Sequence, residues 1–211
     1  MKKRNKDKKN IRILITLIVV IIVAVGFVVF TRGSNSPDGN SLQSTILNTD
    51  SWKTFQAGEG TITFKAPTDF IPEDGEEVFS LNIPETKPYF ETHLIKEARI
   101  DVVFHDKCTA IPSNPENRAV STTDVVLNGT AFTKSIFEDA GAGNAYKTTE
   151  YAVLKDAKCY EISLFLHSTN GEALYTDKVS QIKKVDAQHS KDIENMEKLF
   201  ESVVGSSIFV K

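Results

Sequence analysis

The 211-residue sequence contains no His-Glu-x-x-His pair, no Gly-x-Ser-x-Gly elbow and no Walker loop. The short signatures of zinc proteases, α/β-hydrolases and P-loop NTPases are therefore all missing. Its four histidines, His93, His105, His167 and His189, stand far apart and never at helical spacing. A zinc site needs three or four convergent ligands, and nothing local supplies them. The acidic run Glu73, Asp74, Glu76 and Glu77 lacks the alternating spacing and the Gly of an EF-hand loop, and reads as solvated. Ala140-Gly141-Ala142-Gly143-Asn144-Ala145 lacks the third Gly of a dinucleotide fingerprint and runs into the strand-like Tyr146–Thr149, so it reads as a hairpin loop. No catalytic, metal or cofactor site is predicted, and no internal repeat or heptad is present.

Positive charge is scarce everywhere but at the N-terminus. The first twelve residues hold seven bases and one acid; the remainder keeps 18 bases against 27 acids, an excess of nine acids. That excess removes the electrostatic basis for nucleic-acid binding. A hydrophobic fraction of 40% with 25% charged residues excludes a disordered or collagen-like chain.

Charge and proline are absent from Ile13 to Phe30, where Thr16 is the one polar residue. At 1.5 Å per residue a helix of this length spans about 27 Å, close to the roughly 30 Å core of a bilayer. The rival is a cleavable signal peptide, whose apolar core is shorter and ends at a small-x-small site; Phe30-Thr31-Arg32 offers none. No Cys follows the apolar run, so a lipoprotein anchor is excluded, and the Gly and early Glu of a pilin leader are missing. The expected organisation is a basic cytoplasmic tail (1–12), a transmembrane signal anchor (13–31), a flexible linker (32–51) and an extracytoplasmic domain (52–211). The positive-inside rule sets that orientation. Gly33 to Ser51 is rich in Ser, Asn and Gly, with Leu42, Ile46 and Leu47 too few to bury a core.

Beyond Trp52 the pattern is mostly of period two. Ile62, Phe64 and Ala66 share one face of a strand that Pro67 stops, and Ile100, Val102 and Phe104 share a face of another. Val125–Leu127 and Thr130–Phe132 flank Asn128-Gly129, which accepts the positive φ angles of a type I′ turn. Tyr160, Ile162, Leu164 and Leu166 form the strongest apolar row, with Tyr146–Leu154 as its expected partner across Asp156-Ala157-Lys158. Near the end the period becomes helical at Ile193, Met196, Phe200 and Val203, predicting a helix that opens near Ser190 with Glu194 in its first turn. The fold class is α+β, a mainly antiparallel sheet flanked by helices. Asn128-Gly129-Thr130 also matches the glycosylation acceptor pattern, a motif common by chance.

Cys108 and Cys159 are the two cysteines, both placed outside the membrane, where a disulfide is permitted. One follows the Ile100–Phe104 strand and the other starts the strongest strand, so both are expected at the sheet rim as a structural pair. The alternative is two separate buried thiols.

Two stretches carry a resemblance. Phe64-Lys65-Ala66-Pro67-Thr68-Asp69-Phe70 resembles the opening strand and turn of PsbP/Mog1-like domains, with Ala66 in place of the usual aromatic and Phe70 in place of the usual Trp. Phe200-Glu201-Ser202-Val203-Val204-Gly205-Ser206-Ser207-Ile208-Phe209 resembles their closing helix and strand. The resemblance implies an antiparallel sheet flanked by helices, often behind a single bacterial membrane anchor, and no shared catalytic motif. The expectation is a non-catalytic binding module for an envelope protein or polymer, membrane-bound through its N-terminal helix. The alternatives are an envelope hydrolase using His105, Asp106 and His167, and a structural surface protein.

Overall fold

Two-residue turns shape the larger sheet. Asn128 (φ 46°) and Gly129 (φ 80°) join β6 (Ser121–Leu127) to β7 (Thr130–Gly141), Ala142-Gly143 joins β7 to β8 (Asn144–Lys155), and Asp156-Ala157 joins β8 to β9 (Lys158–Thr169). Both central residues of each turn have positive φ in the computed structural model, the geometry whose twist matches the flanking strands. Residues 49–58, 60–75, 78–86, 88–105, 120–170 and 179–210 are described, all in the unit that runs from Leu42 to Lys211. The expected tail, membrane span and most of the linker lie outside the described residues. So do Asp106, Cys108, Glu76 and Glu77. Among the described residues no helix is long and apolar enough to cross a membrane.

The remaining strands of this sheet are β3 (Ile71–Asp74), β4 (Val78–Asn82) and β5 (Ile95–His105), and the order is β3-β4-β5-β9-β8-β7-β6, antiparallel throughout. A second sheet, β1-β2-β10, joins β1 (Lys53–Ala57) and β2 (Ile62–Ala66) to the closing strand β10 (Ile208–Phe209). The helix α1 (Val179–Gly205) precedes β10. The architecture is thus α+β and mainly antiparallel. Where flanking helices were expected, however, the described layer over the large sheet is one long helix together with the small sheet.

Period-two alternation puts Ile100, Val102, Ile162, Leu164, Tyr151 and Leu81 on one face of the large sheet, each at most 1% exposed. Met196, Leu199, Phe200, Val203 and Val204 of α1 and Phe55, Ile62 and Phe64 of the small sheet close over them in one core. Phe200 meets Tyr151 edge-on at 5.5 Å, Phe64 meets Phe79 at 6.0 Å, and Phe209 meets Tyr160 at 4.9 Å. Full burial of each such side chain stabilises by about 1.5–3 kcal/mol.

The helix begins well before Ser190. That residue is mid-helix and its hydroxyl donates to the Asp186 carbonyl at 2.9 Å, a bond back along the helix rather than a cap. Glu194 accordingly lies beyond the first turn. It accepts from Lys198 at 2.6 Å, one turn on, which holds its carboxyl below the usual range. Asp192, 1% exposed, lies on the inner side of α1. Its carboxylate accepts from the Glu91 N–H (3.1 Å), the Thr92 N–H (2.9 Å), the Thr92 hydroxyl (2.8 Å) and Gln188 Nε2 (3.1 Å), tying the loop before β5 to the helix.

Candidate functional site

The register of β5 against β9 separates the histidines of the hydrolase reading. His105 faces Cys159 and His167 faces Glu97, so eight residue steps along β9, roughly 27 Å at about 3.4 Å each, separate the two levels. His105 and His167 do not converge, and no site forms between them. His105 Nε2 lies 3.5 Å from Glu161 Oε2, whereas His167 Nε2 pairs with Asn144 Oδ1 at 3.0 Å and stacks on Tyr146 at 4.7 Å. His93 is exposed in the loop before β5 and His189 lies on α1. Among the described residues no group of three His, Cys, Asp or Glu side chains is placed to hold a metal.

Beside His105 the same face of the sheet holds two carboxylates. Glu150 sits between Ser135 and Ser163 in register, and its pKa is pushed up from an ordinary 4.5 to about 7. Burial is the main cause; the charge of Glu161 adds to it and that of His105 opposes it. Glu73, from the acidic run, accepts from Asn82 Nδ2 at 3.2 Å within the sheet. Cys159 is 1% exposed, and no described cysteine is free.

A groove of about 910 Å³ lies between the last turn of α1, the β6–β7 turn and β2. Asn128, at that turn, donates its side-chain amide to the Gly205 carbonyl and so caps the helix end. Across the groove the Lys65 N–H donates to Ser206 Oγ at 2.8 Å, which fixes the helix terminus against β2. Its wall includes nearly buried Trp52 and two exposed apolar side chains, Val126 (69%) and Ile208 (64%). Among the described residues β6 and β10 each pair with a neighbour on one side only, so the groove carries strand-edge backbone as well as apolar surface. The sequence shows the Asn128-Gly129 turn and the closing strand. It does not show that they meet, because Asn128 and Gly205 are joined only by the tertiary fold.

A second cavity, about 530 Å³, opens between the N-terminal half of α1 and the far ends of β7, β8 and β9. Leu166 and Ile193 give it apolar walls, and Glu138, Asp139, Tyr146, Lys147 and His189 are the charged or titratable residues of its described lining. Burial lowers the His189 pKa although Asp192 and Asp186 oppose the shift. The sequence does not show that these residues meet, since the lining comes from three strands and a helix.

A seven-stranded antiparallel sheet, covered on one face by a long C-terminal helix and a small sheet that contains the closing strand, defines a class of α+β domain. Solved structures place it more narrowly. A point mutant of the protein Mog1 superposes with a TM-score of 0.51 at 14% identity, over 76% of this chain and 96% of that one. The Saccharomyces cerevisiae Ran-binding protein Mog1p gives 0.48 at 15% identity, with 76% and 96% covered. A Bacteroides thetaiotaomicron protein gives 0.43 at 14% identity, where 76% of this chain spans 49%, about half, of that protein. The chain has the Mog1/PsbP-like fold; at such identity the likeness is one of fold alone. No family model and no curated protein sequence matches it.

Proposed function

We propose that the chain is a non-catalytic binding module, held at the cell membrane by residues 13–31 with its folded domain outside, and that it takes a protein partner in the groove beside Trp52. The observation that carries this reading is the groove itself. Two exposed apolar side chains, Val126 and Ile208, stand next to two strand edges that have no neighbouring strand among the described residues. An extended segment laid there satisfies edge N–H and C=O groups through its backbone and buries Val126 and Ile208 with its side chains. Fully burying those two would contribute about 1.5–3 kcal/mol each before ordering costs are subtracted. The acidic balance after residue 12 gives a nucleic-acid partner no electrostatic basis, which favours a protein. Cys108 and Cys159 are read as a structural disulfide, supported by the burial of Cys159 and by the lack of any free cysteine among the described residues.

The test is site-specific photocrosslinking of the full-length chain in intact cells. A photoreactive side chain at Val126 should give a discrete protein adduct. One at Ile71, 61% exposed but on β3 at the opposite edge of the large sheet, should not. Equal labelling at both positions, or none at Val126, would refute the groove as the binding site.

A further inference from the structure

The chain enters the domain through the wall of that groove. Thr49 and Trp52 are among the lining residues, and Asn48 directly precedes Thr49. We propose that Leu42–Asn48, the segment just upstream, occupies the groove when no partner is there and has to be displaced for one to bind. The competition rests on the groove reading above; the occupancy does not.

From Gly33 to Ser51 nearly every residue is small or polar, and the three large apolar ones, Leu42, Ile46 and Leu47, all fall in this segment. The unit that holds the domain begins at Leu42, the first residue of the segment. In an extended chain positions 42, 44 and 46 share one face, which sets Leu42 and Ile46 on either side of Ser44. The groove offers the matching surface. Val126 and Ile208 stand exposed in it, beside edges of β6 and β10 that have no neighbouring strand among the described residues. An added strand would pair with such an edge and cover both side chains.

Tether length and charge select this occupant. At roughly 3.3–3.6 Å per residue, Ile46 lies within about 11 Å of chain from Thr49 and Leu42 within about 25 Å. A tether that short holds the segment at an effective concentration on the order of millimolar, so even a weak contact fills the groove for much of the time. Leu42–Asn48 carries no charge. A second copy of the domain would bring the excess of nine acids found after residue 12 against the same excess here, and would be repelled.

The experiment places a photoreactive side chain at Val126 of the purified full-length chain and maps the product after trypsin. Val126 should link within its own chain to the peptide Gly33–Lys53, with the attachment between Leu42 and Asn48. The same side chain at Ile71, on β3, should give no such link. Leu42→Ser, Ile46→Ser and Leu47→Ser together should remove the link. In intact cells this triple variant should raise the Val126 partner adduct about two- to ten-fold, the relief expected when the groove was filled from half to nine-tenths of the time. No intrachain link, an attachment confined to Thr49–Trp52, a link that survives the triple substitution, or a product joining two chains would each overturn the proposal. So would a partner adduct that the triple variant leaves unchanged. If the intrachain link forms and neither chain gives a partner adduct in cells, the partner reading of the groove fails while the occupancy stands, so the two are separable.

Discussion

Replacing Glu150 by Gln should make the domain more stable, and only above mildly acidic pH. The carboxyl titrates at an ordinary 4.5 when unfolded and at about 7 when folded, chiefly because burial disfavours its charge. The folded state therefore holds the proton more tightly than the unfolded chain. Stability linked to this group is fully present below pH 4.5 and is lost as pH rises to about 7. A displacement of that size in a fully desolvated group corresponds to roughly 3 kcal/mol, and partial exposure reduces it to about 1.5 kcal/mol. Glutamine keeps the shape and never ionises. In urea unfolding of a fragment beginning at Leu42, wild type and variant should coincide near pH 4.5. The variant should lead by about 1.5 kcal/mol at pH 8. A difference between variant and wild type that does not change from pH 4 to pH 9, or one of opposite sign, would refute this account.

Asp192→Ala leaves two buried N–H groups and a hydroxyl without their acceptor and should cost about 2–4 kcal/mol, with hydrogen exchange rising first at Glu91 and Thr92. Thiol titration of the denatured, unreduced protein from its native compartment should find no free cysteine. Reduction should lower stability by up to about 4 kcal/mol, the closure entropy of a loop of some fifty residues, and two titratable thiols would exclude the bridge. Protease added to intact cells should release the part after Thr31 and spare the basic tail; a mature chain beginning after Phe30 in the soluble fraction would show cleavage instead.

What could be read in advance followed strict local periods. The apolar row Tyr160, Ile162, Leu164, Leu166 is wholly buried because alternation along a strand maps directly onto one face. Asn128-Gly129 forms its turn because Asn and Gly accept positive φ, whereas Ala157 (φ 64°) takes it against its own preference, held by the register of β8 and β9. The two short family-like stretches lie where β2 and the α1–β10 junction are found, with Phe64, Phe70 and Phe200 buried. The start of α1 was not legible. Upstream of Ser190 its apolar residues, Ile182 and Val185, are only half-buried, and the many charged residues there blur the stripe. Nothing local marks Asp192 as buried, because its partners at Glu91 and Thr92 are about a hundred residues away. The groove and the second cavity escaped for the same reason: each is assembled by register and by helix placement, which no local pattern encodes.

The stitching of the chain ends has a mechanical consequence. Lys53 of β1 faces Ala66, the adjacent Lys65 N–H bonds Ser206, and Val210 bonds Thr61, so both ends of the domain are fastened to β2. Thr49 and Trp52, where a tether from the membrane would enter, also line the groove. Tension between such a tether and a partner seated in that groove would be carried by this corner alone. The five residue pairs of β1 with β2 would take the load, opening like a zip, one pair at a time, and yielding at low force. The long ladders from β5 to β7 would lie off the line of force. Under strain the attachment would stretch and recover while the body of the sheet stayed folded.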